Sequence, residues 1–117
     1  GEVVVISTSM PIPTYIPEGY DCLEYQGNND SSYYDIDYGN GQGEKYTVTR
    51  QLVKSGNVYD YVEPVNEEDI PIGNTYGLYW QEKETHTLVW IWGDILYTVS
   101  GDLERNEILK VAHSIPY

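Results

Sequence analysis

Glu67, Glu68 and Asp69 stand together in the stretch NEEDI, three consecutive acids. Paired carboxylates carry acid–base chemistry in many hydrolases, one protonating a leaving oxygen while the other activates water or attacks. A run of like charges is also the ordinary composition of a solvated loop, and that is the reading taken for this stretch. A second acid-rich stretch, DIDYGNGQGE (35–44), invites comparison with a calcium loop. An EF-hand loop starting at Asp35 needs Asp or Asn at its fifth position, Gly at its sixth and Glu at its twelfth. This chain has Gly39, Asn40 and Tyr46 there, so the stretch reads as a turn between strands. Its glycines do not precede a Lys-Ser or Lys-Thr pair, which excludes a phosphate loop.

The remaining reactive side chains are few. Cys22 is the single cysteine, so no intrachain disulfide forms, and it reads as a small apolar filler. His86 and His113 have no His, Cys or Glu at metal-ligand spacing and read as solvated surface. No G-x-S-x-G elbow is present. No catalytic residue, metal ligand or cofactor site is assigned, and no enzyme activity is expected.

Charge narrows the partners. Nineteen acids against six bases give a formal net charge of -13. Such a surface repels phosphate backbones and anionic lipid, which argues against nucleic acid and against direct membrane binding. The chain has 13 Tyr, 3 Trp and no Phe. Tyrosine joins a flat apolar body to a polar tip and suits half-exposed strands.

The elements that must position these residues are mostly strands. At 117 residues the chain is one domain's worth, read as 1–117 with Gly1 as a scar ahead of a trimmed start. EVVVIS (2–7), YDCLEYQ (20–26), SYYDIDY (32–38), KYTVTRQLVK (45–54) and TYGLYWQEK (75–83) have strand character, the last weakened by Gly77. MPIPTYIPEGY (10–20) is an extended loop, because three prolines in seven residues exclude a helix or a sheet interior. VYDYVEPV (58–65) reads as a short edge strand, and NEEDIPIGN (66–74) as an acidic loop. Tyr34, Ile36 and Tyr38 share one face of their strand, with Tyr33, Asp35 and Asp37 on the solvated face.

LVWIWGDILYTVSGD (88–102) is a hairpin turning at Gly93-Asp94. That turn pairs Trp92 with Ile95, Trp90 with Tyr97 and Leu88 with Val99, all on one face. Val89, Ile91, Leu96 and Thr98 share the other face, to be covered by a partner or left partly exposed. LERNEILKVAHSI (103–115) is an amphipathic helix presenting Ile108, Val111, Ala112 and Ile115, which ends before Pro116. The expected core joins that stripe to the face of Leu88, Trp90, Trp92, Ile95, Tyr97 and Val99. A ligand platform of stacked Trp and Tyr is the alternative use of that face. The resulting fold class is α+β: a meander-like antiparallel sheet of six to seven strands with one C-terminal helix on one face.

Two stretches resemble a known family. WIWGDILYTVSGDLERNEILKVAHSI (90–115) is similar to the end of the bacterial domain of unknown function 4367, and PTYIPEGYDCLEY (13–25) resembles its start. Glu104 stands where that family often has a Ser or Thr cap, so either Asp102 caps the helix or its start frays. The resemblance implies the extracytoplasmic part of a membrane-anchored bacterial protein, tethered from upstream, and supplies no catalytic or binding residues. The expected function is therefore a non-enzymatic interaction or sensor module whose partner is a protein or a cell-surface ligand. A carrier of apolar ligands and a carboxylate-dependent hydrolase are the alternatives.

Overall fold

The computed structural model describes residues 11–28, 32–54 and 56–116. The strand expected at 2–7 lies outside these residues. Seven strands form one antiparallel sheet: β1 (Tyr20–Gly27), β2 (Tyr33–Asn40), β3 (Lys45–Leu52), β4 (Glu68–Ile72), β5 (Thr75–Glu82), β6 (Thr85–Trp92) and β7 (Ile95–Gly101). A helix, α1 (Arg105–His113), follows. The strand order is β1-β2-β3-β7-β6-β5-β4. The sheet is thus two meanders, β1 to β3 and β4 to β7, joined where β3 pairs β7. The chain passes from β3 in the middle of the sheet to β4 at its far edge, and residues 56–67 lie between them.

The hairpin forms in the register read from the sequence. Trp92 faces Ile95, Trp90 faces Tyr97 and Leu88 faces Val99. Gly93 has φ +65, a conformation that costs a side chain strain and costs glycine nothing. Leu88, Trp90, Ile95, Tyr97 and Val99 are buried on one face with Ile108, Val111, Ala112 and Ile115 of α1. Trp92 is only partly buried, because it stands at the turn end of the hairpin, at the margin of this cluster. The rest of the cover comes from the extended segment 11–19, in which Pro13 and Pro17 are buried.

The opposite face of the hairpin has a cover of its own within the chain. Val89, Ile91 and Leu96 form a second apolar cluster with Val53, Leu78 and Trp80, and Val58 and Val62 pack on it. Val58 belongs to a single 3-10 turn, Val58–Asp60, where an edge strand was expected. The Asn57 side chain accepts from the Tyr59 amide at 2.9 Å and fixes that turn. Val58 and Val62 lie four apart, a spacing that a strand also puts on one face, so apolar spacing alone could not separate this covering segment from a strand.

The acidic stretch is also rearranged. Glu68–Ile72 is a strand, β4, on the sheet edge, and not a loop. Ile70 and Ile72 alternate into the core, and Pro71 is tolerated because an edge strand leaves one side without a ladder partner. Strand β5 runs unbroken through Gly77.

The junction into α1 is tied to β3. Gly101 has φ +154, and a Cβ there would stand 2.5 Å from Tyr46 Cα. The Lys45 amide donates to Asp102 Oδ2 at 2.8 Å, and the Asp102 amide donates to the Lys45 carbonyl at 2.8 Å. Asp102 is thereby committed to β3. Glu104 takes the N-cap position of α1 with no side-chain cap.

Candidate functional site

The second sheet face is divided. Its β5, β6 and β7 half is capped by Val53, Val58 and Val62 of the crossing segment. Its other half, on β1, β2, β3 and the near end of β7, carries polar side chains in register. Glu24 stands opposite Asp37, and Asp37 opposite Thr47. Thr47 stands opposite Ser100, and Ser100 opposite Thr87. In the next row Gln26, Asp35, Thr49 and Thr98 follow one another across the same strands. Thr47 Oγ1 donates to Asp37 Oδ1 at 2.9 Å, and the hydroxyls of Thr87 and Ser100 are hydrogen-bonded at 2.9 Å.

Three carboxylates, Glu24, Asp35 and Asp37, therefore converge on one open surface. Burial, then the charge of Asp37 and that of Glu24, pushes the Asp35 carboxyl above the usual aspartate range. An open groove of about 300 Å³ adjoins them, lined by Leu23, Glu24, Asp37, Lys45, Tyr46 and Thr47. Leu23 is 53% exposed and Tyr33 is 37% exposed. Leu23 projects where the β1 register shifts between Cys22 and Glu24, a bulge that turns it out of the alternation. Glu24 joins the aspartates through the unbroken register that runs from Gly27 opposite Tyr34 to Glu24 opposite Asp37, and the bulge beyond it displaces Leu23.

A family described as a domain of unknown function (DUF4367) matches residues 10–115. The chain belongs to this family. No curated protein matches it. The DUF4367 match spans both ends of the sheet and α1, so the whole described fold lies within it.

The other sequence candidates fall elsewhere in this DUF4367 domain. Glu67, Glu68 and Asp69 do not converge. Glu68 accepts from Arg105 Nη2 at 2.6 Å and Nε at 3.1 Å, and this pairing holds its carboxyl below the usual glutamate range. Glu67 accepts from Tyr59 Oη at 3.3 Å. Asp69, the next strand residue after Glu68, points to the opposite face. His86 is not a solvated surface residue. It is half-buried, and its Nδ1 is hydrogen-bonded to Tyr79 Oη at 2.7 Å. Arg105 lies over the Tyr79 ring at 5.8 Å, so a Tyr-His pair and an ion pair meet at the start of α1. His113 is exposed on the helix. Cys22 is half-buried, and burial pushes its thiol up. The stretch 35–44 is the end of β2 and a turn, held by Asn40 Oδ1 accepting from the Gln42 and Glu44 amides at 2.9 and 3.0 Å.

Among the described residues no group of three or more His, Cys, Asp or Glu is placed to hold a metal ion. No helix among them is long and apolar enough to cross a membrane. The Trp90 ring is stacked on Tyr97 at 5.3 Å and 17°. Trp90, Leu88, Val99 and Ile108 are 0% exposed. No water-sized void borders these side chains, so the space between sheet and helix is filled at them.

Proposed function

We propose that this DUF4367 domain is a non-enzymatic interaction or sensor module, carried outside the cytoplasm by a membrane-anchored bacterial protein. Its partner is a protein or a cell-surface ligand, engaged through the open half of the second sheet face. The observation that carries this reading is the division of that face. One half is sealed by the chain's own crossing segment. The other keeps Glu24, Asp35 and Asp37 over a floor of Thr and Ser hydroxyls, beside the exposed Leu23 and Tyr33. Fixed carboxylates and hydroxyls on a rigid sheet are suited to recognition by hydrogen bonds. The extracytoplasmic location and the anchor rest on the family resemblance.

The carrier alternative needs space between sheet and helix, and the side chains of Trp90, Tyr97 and Ile108 fill it. The hydrolase alternative needs two carboxylates acting on one bond. Of the acids that the sequence nominated for this role, Glu68 and Asp69 lie on opposite faces of β4, and Glu68 is engaged by Arg105.

The test is a binding survey of cell-wall fragments, peptides and lipid vesicles, followed by amide chemical-shift mapping. A ligand that binds stoichiometrically should shift residues of β1, β2, β3 and β7, and Asp35→Asn with Asp37→Asn should abolish those shifts. Turnover of any member of the panel, lost on replacing one acid, would refute the reading. Shifts confined to Trp90, Tyr97 and α1 would favour the carrier.

A further inference from the structure

Residues 11–19 contain no strand or helix, yet they cover part of the sheet. Their attachments run to side chains and to one helix end. The Thr14 and Tyr15 amides both donate to Ser114 Oγ at 3.1 Å. Thr14 Oγ1 donates to the Ser114 carbonyl at 2.9 Å. Tyr15 Oη donates to Glu107 Oε2 at 2.5 Å, and Lys110 closes over the Tyr15 ring at 5.9 Å. Tyr34 Oη donates to the Pro11 carbonyl at 2.8 Å. Ser114 is also the C-cap of α1, and its hydroxyl donates to the Val111 carbonyl at 2.7 Å. One residue therefore closes the helix and holds the segment.

Beside this segment lies a cluster of tyrosines. Tyr46 is stacked on Tyr38 at 4.6 Å, and Tyr20, where the segment enters β1, meets Tyr46 edge-on at 5.1 Å. Tyr46 is 1% exposed, and its hydroxyl is buried with no hydrogen-bond partner. A buried hydroxyl without a partner is unfavourable, because water satisfies it in any state that lets water in. Closure of the segment thus opposes the hydration of one group while it makes several bonds at α1.

We propose that residues 11–19 are a strap that opens and closes over the Tyr20–Tyr38–Tyr46 cluster, latched by Ser114 and Glu107 and biased toward opening by the unpartnered Tyr46 hydroxyl. Opening bares an aromatic surface on the helix face, independently of the open acid face on the other side.

Amide hydrogen exchange of the intact chain tests this. The Thr14 and Tyr15 amides should exchange by a local opening, faster than Val89 and Val99 in the central strands and with little dependence on denaturant. Ser114→Ala should speed exchange at Thr14 and Tyr15 about tenfold and leave Val89 and Val99 unchanged. Tyr46→Phe should slow Thr14 and Tyr15 several-fold, since it removes the group that favours opening. Thr14 and Tyr15 exchanging in step with the central strands would overturn the proposal. So would faster exchange in Tyr46→Phe, which is the result expected of a hydroxyl that is satisfied in the closed state.

Discussion

Gly101 is the position at which one added methyl group should do the most damage. An alanine Cβ there would stand 2.5 Å from Tyr46 Cα and 2.7 Å from Tyr46 Cβ, and against the Lys45 carbonyl as well. Ordinary contact begins at 3.4 Å, so nearly one ångström must come from backbone movement. That movement falls on β3 and β7, the seam between the two meanders. Overpacking of this kind costs about 1–3 kcal/mol, and holding a side chain at φ +154 adds about 1–3 kcal/mol. The sum, about 2–6 kcal/mol, is a large share of the roughly 5–15 kcal/mol that stabilises a domain. Two controls separate the terms. Gly93→Ala has φ +65 and nothing within 4 Å, so it should cost only the backbone strain, about 1–2 kcal/mol. Gly41→Ala also meets nothing and has no positive φ, so it should be neutral or stabilising by about 0.4–1 kcal/mol. Urea unfolding followed by tryptophan fluorescence gives all three midpoints. If Gly101→Ala is no less stable than Gly93→Ala, the close approach does not control this junction and the reasoning is wrong.

Two further predictions concern the core and the acid face. Trp90→Ala should cost about 3–5 kcal/mol, because a fully buried indole stacked on Tyr97 is lost. Trp92→Ala should cost about 1–2 kcal/mol, and equal losses in urea unfolding would contradict the burial difference. Asp35→Asn should raise Tm at pH 7, since the folded state holds the Asp35 proton more tightly than the unfolded chain does. In the window between the ordinary aspartate value near 3.8 and the raised folded value, stability falls as pH rises, and above that window the penalty is complete. The gain from Asp35→Asn should therefore fade as pH drops below that ordinary value. A Tm for Asp35→Asn below that of the parent at pH 7 refutes the prediction.

The hairpin, its register and the helix stripe were legible because each is set by short-range rules. A Gly-Asp turn fixes the pairing, and periods of 2 and 3.6 fix the faces. What escaped depends on position in the sheet. β4 was hidden because its acids and Pro71 read as a loop, although the alternation of Ile70 and Ile72 was present. Only edge placement makes such a strand tolerable, and edge placement is a property of topology. The cover of Val89, Ile91 and Leu96 was hidden in a segment whose Val58 and Val62, four apart, fit one face of a strand as well as they fit the turn and coil that form. The Tyr79–His86 bond was recoverable in principle. The Lys83-Glu84 turn brings Tyr79 opposite Leu88 and His86 opposite Gln81, so the two are diagonal neighbours on one face. The meeting of Glu24 with Asp35 and Asp37 follows from the same diagonal rule, since the register is unbroken from Gly27 opposite Tyr34 to Glu24 opposite Asp37, whereas the bulge that turns out Leu23 was not legible.

The two stretches that carry the family resemblance, 13–25 and 90–115, are far apart in the chain and are bonded to each other in the fold. Ser114 accepts from the Thr14 and Tyr15 amides, and Glu107 accepts from Tyr15. The same stretches fill the apolar space beneath α1 with Trp90, Tyr97 and Ile108. The resemblance is thus, in physical terms, a rule for closing one face of the sheet. Such a rule constrains packing and leaves chemistry free, which accounts for a recognisable family without a recognisable site. Asp35, Asp37, Thr47 and Thr49 lie outside both stretches, on the opposite sheet face, to which the stretches contribute Glu24, Thr98 and Ser100. Under the proposed function a ligand is to be sought on that face, and variation there should change what is bound while leaving the fold intact.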